Sequence, residues 1–383
     1  MQQDNRKSLH LCLALFFICS IVCRTATLAQ QHSTGLIAEG TIWQTRYYVT
    51  ESNEPGPVVM IVGGIHGNEP AGSRAAEQIR HWKITKGKLI VLPAVNGPAL
   101  KKESRLTPDV SKGLGNLNRN FPEAVADAPK CALSKGIWSV VCAERPDWLL
   151  DLHEGYDFTQ INSKSVGSSV IAGKSLVVTE QARRMLDVLN ETIEDPNKKF
   201  VLKSPPVKGS LARAADEVFG IKSMILETTF KRQPISLRTR QHKIMAHRFL
   251  TDLSMVSGRP DVLVSRTKPS GAICAALYDA GGAGSKGPGA LEKDLGQMDN
   301  VVVRRIGVPE ITAGALDQFD VIIMPGGSAS KQAKALGTDG CRAIVNFVKD
   351  GGGYAGFCAG AYLASNNYDW SLKIIDARVI DRK

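Results

Sequence analysis

Apolar residues gather in short runs closed by Gly, Pro or charge: VVMIVGG (58–64), LIVLPAVN (89–96), WLLDLHEG (148–155) and MILETT (224–229). Runs of this length and composition predict buried strands. Between them AGSRAAEQIRHW (71–82), TEQARRMLDVLNETI (179–193) and SLRTRQHKIMAHRFLTDL (236–253) repeat apolar positions at helical spacing. That alternation predicts an α/β layered fold. From Ser257 the pattern lapses into SGRPDVLVSRTKPSG, then resumes with ICAALYD, VVVRRI, VIIMPGG and YAGFCAG. Two domains are therefore expected, at 36–255 and 271–383, joined by a linker over 256–270. A chain of 383 residues accommodates both, and no internal repeat interrupts the pattern.

The amino terminus changes the expected compartment. Arg6 and Lys7 precede the apolar stretch LHLCLALFFICSIVC and the small residues TATLA, the three parts of an export signal, with cleavage expected after Ala29. The apolar stretch is shorter than the roughly 20 residues that span a bilayer comfortably. Val22 ahead of Cys23 also disfavours a lipid anchor, so the expected product is an exported protein, periplasmic or secreted, with no stable membrane anchor. Removing residues 1–29 leaves Cys131, Cys142, Cys274, Cys341 and Cys358. Outside the cytosol Cys131 and Cys142 could close a small loop, the alternative being two unpaired thiols. The net charge of +11 is carried by scattered Lys and Arg rather than a dense basic run interleaved with aromatics. No nucleic-acid partner is expected on that pattern.

Candidate chemistry collects at the ends of the first domain's strands. His66 and Glu69 follow VVMIV, and His153 follows WLLDL. Two imidazoles and one carboxylate form a three-ligand set with a position left open, the arrangement of catalytic rather than structural zinc. One Zn²⁺ per chain is expected. Gly63, Gly64 and Gly67 would let the backbone turn so that both side chains of His-x-x-Glu face one point. In the turn-rich NLNRNFP (116–122), Arg119 could grip a substrate carboxylate through its planar fork, with Asn118 as a second donor. Glu227 ends the strand MIL, where a carboxylate is costly unless it faces a polar cleft.

IHGNE, NLNRNFP, DLHEG and ILET stand in the order and spacing of the zinc carboxypeptidase superfamily, which includes aspartoacylase and succinylglutamate desuccinylase, and residues 36–255 resemble it. GSLARAADEVFGIKSMILE also resembles the family's stretch before its catalytic acid. The resemblance implies a mixed sheet flanked by helices, with His66, Glu69 and His153 as zinc ligands and Glu227 as general base. It further implies that Asn118 and Arg119 clamp the carboxylate and that Arg105 polarises the scissile carbonyl. Asp151, two residues before His153, is a candidate to orient that imidazole. No tyrosine occurs between Phe158 and Glu227, so the mobile phenol of the digestive enzymes has no counterpart there. Leu211, Ala212 and Arg213 fall near the expected specificity pocket, and they leave open an apolar or an acidic terminal residue.

The second domain carries GFCAG (356–360), in which Cys358 follows a strand and precedes small residues. Gly-x-Cys-x-Gly in that setting is a turn that exposes a nucleophile, and PGGS (325–328) could offer backbone N–H groups to an oxyanion. Residues 271–383 resemble the flavodoxin-like, class I glutamine amidotransferase-like fold, most closely the amino-terminal domain of some biotin-protein ligases. A cysteine nucleophile needs a base, yet no histidine follows His247 and the chain ends 25 residues past Cys358. An incomplete or non-catalytic domain is expected, independent of the first site. The expected activity is hydrolysis of peptides or N-acyl amino acids bearing a free carboxylate. The alternatives are a dedicated N-acyl amino acid deacylase, a cysteine-based amidotransferase or glutaminase, and a catalytically silent binding protein.

Overall fold

A computed structural model describes residues 30–259 and 271–380. The expected signal peptide and residues 260–270 of the expected linker lie outside them. The strands are β1 (Gln31–Ile37), β2 (Thr45–Glu51), β3 (Val58–Gly63), β4 (Lys88–Leu92), β5 (Trp148–Gly155), β6 (Ser169–Ala172), β7 (Val201–Lys203), β8 (Lys222–Thr229), β9 (Ile273–Tyr278), β10 (Val301–Ile306), β11 (Val321–Met324) and β12 (Gly353–Gly356). The helices are α1 (Pro70–Ile79), α2 (Gly97–Lys101), α3 (Ala132–Glu144), α4 (Leu176–Glu191), α5 (Leu211–Phe219), α6 (Ile235–Asp252), α7 (Gly287–Leu295), α8 (Val308–Thr312), α9 (Ala329–Lys349) and α10 (Ala359–Ala364).

The first eight strands form one mixed sheet in the order β1-β2-β4-β3-β5-β8-β6-β7, with β4, β3, β5 and β8 parallel at its centre. Alternate residues of the central strands go to opposite faces. Val59, Ile61, Leu150 and Leu152 pack with Ala76, Met185 and Phe249 of α1, α4 and α6. Met60, Val62, Leu149 and Ile225 pack with Ile137 of α3 and Ala212 of α5. Burial on both faces is why these strands read as unbroken apolar runs rather than alternating ones. The unit is longer than expected at both ends: β1 pairs with β2 from Gln31 onward, and Val256 is buried in the core.

The second sheet is wholly parallel, in the order β10-β9-β11-β12. One face packs Ala276, Tyr278, Ile322 and Met324 against Ala333, Leu336 and Ile344 of α9. The other sets Leu277 and Ile323 against Leu291 and Leu295 of α7.

One open alternative is decided and one expectation needs correction. Cys131 caps the N-terminus of α3, its Sγ accepting from Ser134 N at 3.5 Å, and Cys142 lies on the same helix. Eleven residues along a helix separate them by about 16 Å, far beyond what a disulfide bridges, and both are free thiols. His153 and Glu227 also lie inside strands rather than beyond them, because β5 and β8 run on to Gly155 and Thr229. Polar side chains are tolerated there because that stretch of the sheet borders a cleft.

Candidate metal centre

The loop between β3 and α1 is shaped by close backbone approach. Gly64 has φ 80°, the left-handed region, and a Cβ on Gly67 would stand 1.9 Å from the Ala99 carbonyl oxygen. Glycine alone meets both demands. The loop delivers His66 to the sheet edge and leaves Glu69 as the residue before the first turn of α1, where its side chain makes no cap hydrogen bond. Instead its carboxylate faces two imidazoles. His66 Nδ1 lies 2.9 Å from Oε1 and His153 Nδ1 2.8 Å from Oε2, with one donor atom from each of the three residues within 4.8 Å of the others. All three side chains are buried, at 3% exposure or less.

The outer ring nitrogens are held from behind. His66 Nε2 is 3.0 Å from Asn116 Oδ1, and His153 Nε2 is 3.0 Å from Asp151 Oδ2. The Asp151 contact is an ion contact off the axis of a well-formed hydrogen bond. The oxygen at His66 Nε2 and the carboxylate beside His153 Nε2 suit the tautomer that carries its proton on Nε2 and turns the Nδ1 lone pair toward Glu69. Two lone pairs facing a carboxylate need either added protons or one shared cation, so the donor set fits a divalent metal ligated by Nδ1, Nδ1 and carboxylate oxygen. The same contacts set the ionisation of both partners. Burial would raise Glu69, but its contacts with His153 and His66 hold it well below the usual carboxylate range. Burial would lower His153, but the Asp151 and Glu69 carboxylates outweigh it and hold the ring well above its usual value.

Glu227 stands directly opposite His153 in the β5–β8 pairing. Burial pushes its carboxyl up to about 8, with Glu69 and Asp151 adding to the rise and His153 opposing it, and its buried Oε2 has no hydrogen-bond partner. Arg105 reaches Oε1 of Glu69. Arg119 donates to the Asn118 carbonyl at 2.6 Å and forms no ion pair among the described residues. Burial, then the neighbouring Arg105 charge, lowers it. Asn118 is largely committed to the scaffold: its Oδ1 accepts from Leu211 N at 3.1 Å and its Nδ2 sits 3.4 Å from His153 Nε2.

All seven first-domain site residues border one cleft of about 880 Å³, with Tyr156, Lys164, Ile171, Leu202, Lys203 and Phe230 further along it. Arg213 is not in it; that guanidinium is buried against Glu217 at 2.6 Å. Sequence reasoning missed Asn116, although it opens the NLNRNFP motif, and missed Lys164, in a loop, and Lys203, at the end of the three-residue strand β7, where no pattern marks them. Cys358 lies in the other sheet, exposed at the turn between β12 and α10 with φ 49° and ψ −107°. Its Sγ has no hydrogen bond among the described residues.

The site thus sits at the carboxyl ends of the parallel central strands of a mixed sheet, with a His-x-x-Glu in the β3–α1 loop and a histidine on the neighbouring strand β5. Residues 55–167 match the Succinylglutamate desuccinylase/Aspartoacylase catalytic domain, and residues 315–383 match the family Biotin-protein ligase, N terminal. The first match contains His66, Glu69, Arg105, Asn118, Arg119 and His153 but not Glu227. Over 103 residues the chain is 31% identical to N-alpha-acetyl-L-2,4-diaminobutyric acid deacetylase of Halomonas elongata. That stretch covers 26% of this chain and only 29% of the relative. Among solved structures it is similar to tripeptide-bound Csd4, a cell shape determinant of Helicobacter pylori, at 18% identity and TM-score 0.45 over 61% of this chain and 59% of that one. A succinylglutamate desuccinylase/aspartoacylase structure from Rhodobacter sphaeroides gives 22% identity and TM-score 0.41 over 57% and 61%.

Proposed function

We propose that the protein is an exported, zinc-dependent hydrolase that cleaves amide bonds of peptides or N-acyl amino acids carrying a free carboxylate. The observation that carries this reading is the Glu69 carboxylate shared between two Nδ1 atoms, with the partnerless Glu227 oxygen one strand away. A zinc ion held by His66, Glu69 and His153 would supply Lewis-acid polarisation of a carbonyl and acidify water at the site. Glu227 takes a proton from the attacking water at its free Oε2 and returns it to the departing amine nitrogen. Arg119 holds the substrate carboxylate, and Asn118 fixes the turn that presents it. Arg105 stands at the mouth of the site, where it can share charge developing on the carbonyl oxygen.

The cleft's volume of about 880 Å³ and the apolar Ile171, Leu202 and Phe230 along it support a peptide as substrate. The matched family and the deacetylase relative support an N-acyl amino acid as the alternative. A hydrolysis panel of a carboxy-terminal peptide bond, a cell-wall peptide and an N-acyl amino acid, run with and without a chelator, separates them. Chelator-insensitive turnover, or zinc uptake with no turnover of any of the three, would remove the reading.

A further inference from the structure

The two sheets are joined by charged and polar contacts that run from Arg74, just past Glu69 in the chain, back to Glu69 itself. Five residues into the chain from Glu69, Arg74 of α1 grips Glu292 of α7 with both terminal nitrogens, one contact at 2.7 Å. Glu292 also accepts from Arg305 Nε at 3.0 Å and Nη2 at 2.8 Å. Arg305 Nη1 lies 3.5 Å from Asp279 Oδ2 at the end of β9. Asp279 turns back to the first domain, its Oδ2 accepting from Ser236 N at 3.0 Å and its carbonyl from Ser236 Oγ, in the first turn of α6. Two residues on, Arg238 of α6 donates to Oε2 of Glu154. The side chain of Glu154 is fully buried; its Oε1 accepts from Ala71 N at 2.7 Å, and its own N–H donates to Glu69 Oε2 at 3.2 Å.

We propose that Asp279 and Glu292 of the second domain are positioning residues for the metal centre of the first. α1 begins immediately after Glu69, so the carboxylate's two-sided aim depends on where the first turn of α1 sits. That turn is pinned twice: by Glu154 at Ala71 N and by the Arg74–Glu292 fork. Glu154 is placed by Arg238, and the start of the helix bearing Arg238 is placed by Asp279. Outer partners that fix a ligand's orientation are worth tenfold or more in metal affinity. The second domain is thereby a structural component of the first site, against the sequence-based expectation of independence, and Cys358 takes no part.

The inference rests on the proposed function for the identity of the site, and the test keeps the two apart. Wild type, Glu292→Gln, Asp279→Ala and Asp279→Asn are stripped of metal, checked for folding by circular dichroism and melting, and titrated with zinc against a chromophoric chelator. Amide exchange at Ala71 is followed in the metal-free proteins. Zinc binding on the order of tenfold weaker and faster Ala71 exchange are expected in Glu292→Gln and Asp279→Ala. Asp279→Asn, whose amide oxygen still accepts from Ser236 N, is expected near wild type. Lower melting temperatures with unchanged zinc affinity and unchanged Ala71 exchange would overturn the proposal, leaving the contacts as a domain fastening only. If Glu292→Gln does not fold, Arg74→Lys, which keeps the charge and loses the fork, carries the same test. A wild-type protein that takes up no zinc would defeat the proposed function, while Ala71 exchange would still decide the positioning role.

Discussion

In the eight-stranded sheet, His153 and Glu227 stand side by side with a carboxylate behind the ring, a second histidine in front and a cleft opening past them. In the four-stranded sheet, Cys358 stands exposed at a turn with φ 49° and ψ −107°, and no histidine follows His247 in the sequence. Backbone geometry is as distinctive in the second place as in the first. What differs is the company: the side chains of the first site contact one another across strands and loops, whereas Cys358 Sγ makes no hydrogen bond among the described residues. Sharp presentation of a side chain is cheap for an α/β fold. Chemistry takes the partners.

Breaking the first site should show this most strongly through its ligands. His66→Ala and His153→Ala each remove one of three protein donors, so stoichiometric zinc and turnover should both vanish, by metal analysis of the purified variants. Glu227→Gln should keep zinc while turnover falls by on the order of 10² to 10⁴, the usual worth of a positioned proton-transfer group. Near-normal turnover in that variant would take the base out of the scheme. Arg119→Met should raise KM on the order of tenfold to a hundredfold with little change in kcat, as expected for losing a charged hydrogen bond to substrate; a fall in kcat alone would place Arg119 elsewhere.

A fourth measurement uses pH. His242, fully buried on α6 with Nε2 3.2 Å from Thr228 Oγ1, is held down to about 3, chiefly by burial. Its folded value lies below its unfolded value near 6.5, so the unfolded chain takes up the extra proton. Stability is therefore complete above pH 6.5 and falls as pH drops toward 3, by up to about 1.4 kcal/mol per pH unit. Denaturant titrations of the metal-free protein should lose that slope in His242→Gln. The smallest expected effect is in the second sheet: Cys358→Ala should leave amide hydrolysis unchanged, and a loss of activity in a folded variant would make the cysteine a participant.

Much of the central sheet was legible in the sequence because β3, β4, β5 and β8 are buried on both faces and write themselves as apolar runs. The hairpin β1–β2 was not, since the QHSTGLI strand lies at the sheet edge and is mostly exposed, with no buried face to impose a pattern. The ligand set could be read because its residue types are few and its spacing short. Asn116 behind His66 and the Arg74–Glu292 fork could not, because an amide or an ion pair separated by 218 residues in the chain leaves no periodic trace. The choice between a Cys131–Cys142 loop and two unpaired thiols stayed open in the sequence because cysteine spacing alone does not reveal the helix that holds them apart.

The pairing of His153 with Glu227 across β5 and β8 has a consequence for how this site can change. Neighbouring strands slide only in whole residues, about 3.3 Å at a time, and a shift of one residue turns every side chain to the opposite face. Slipping β8 by one would bring Leu226 or Thr228 opposite the histidine. The separation between the candidate base and its neighbouring ligand is thus set in steps, like a ratchet, and cannot be adjusted by degrees. Variation in what such a protein accepts has to come from side chains further along the cleft, Lys164 on its loop and Lys203 at the end of β7 among them.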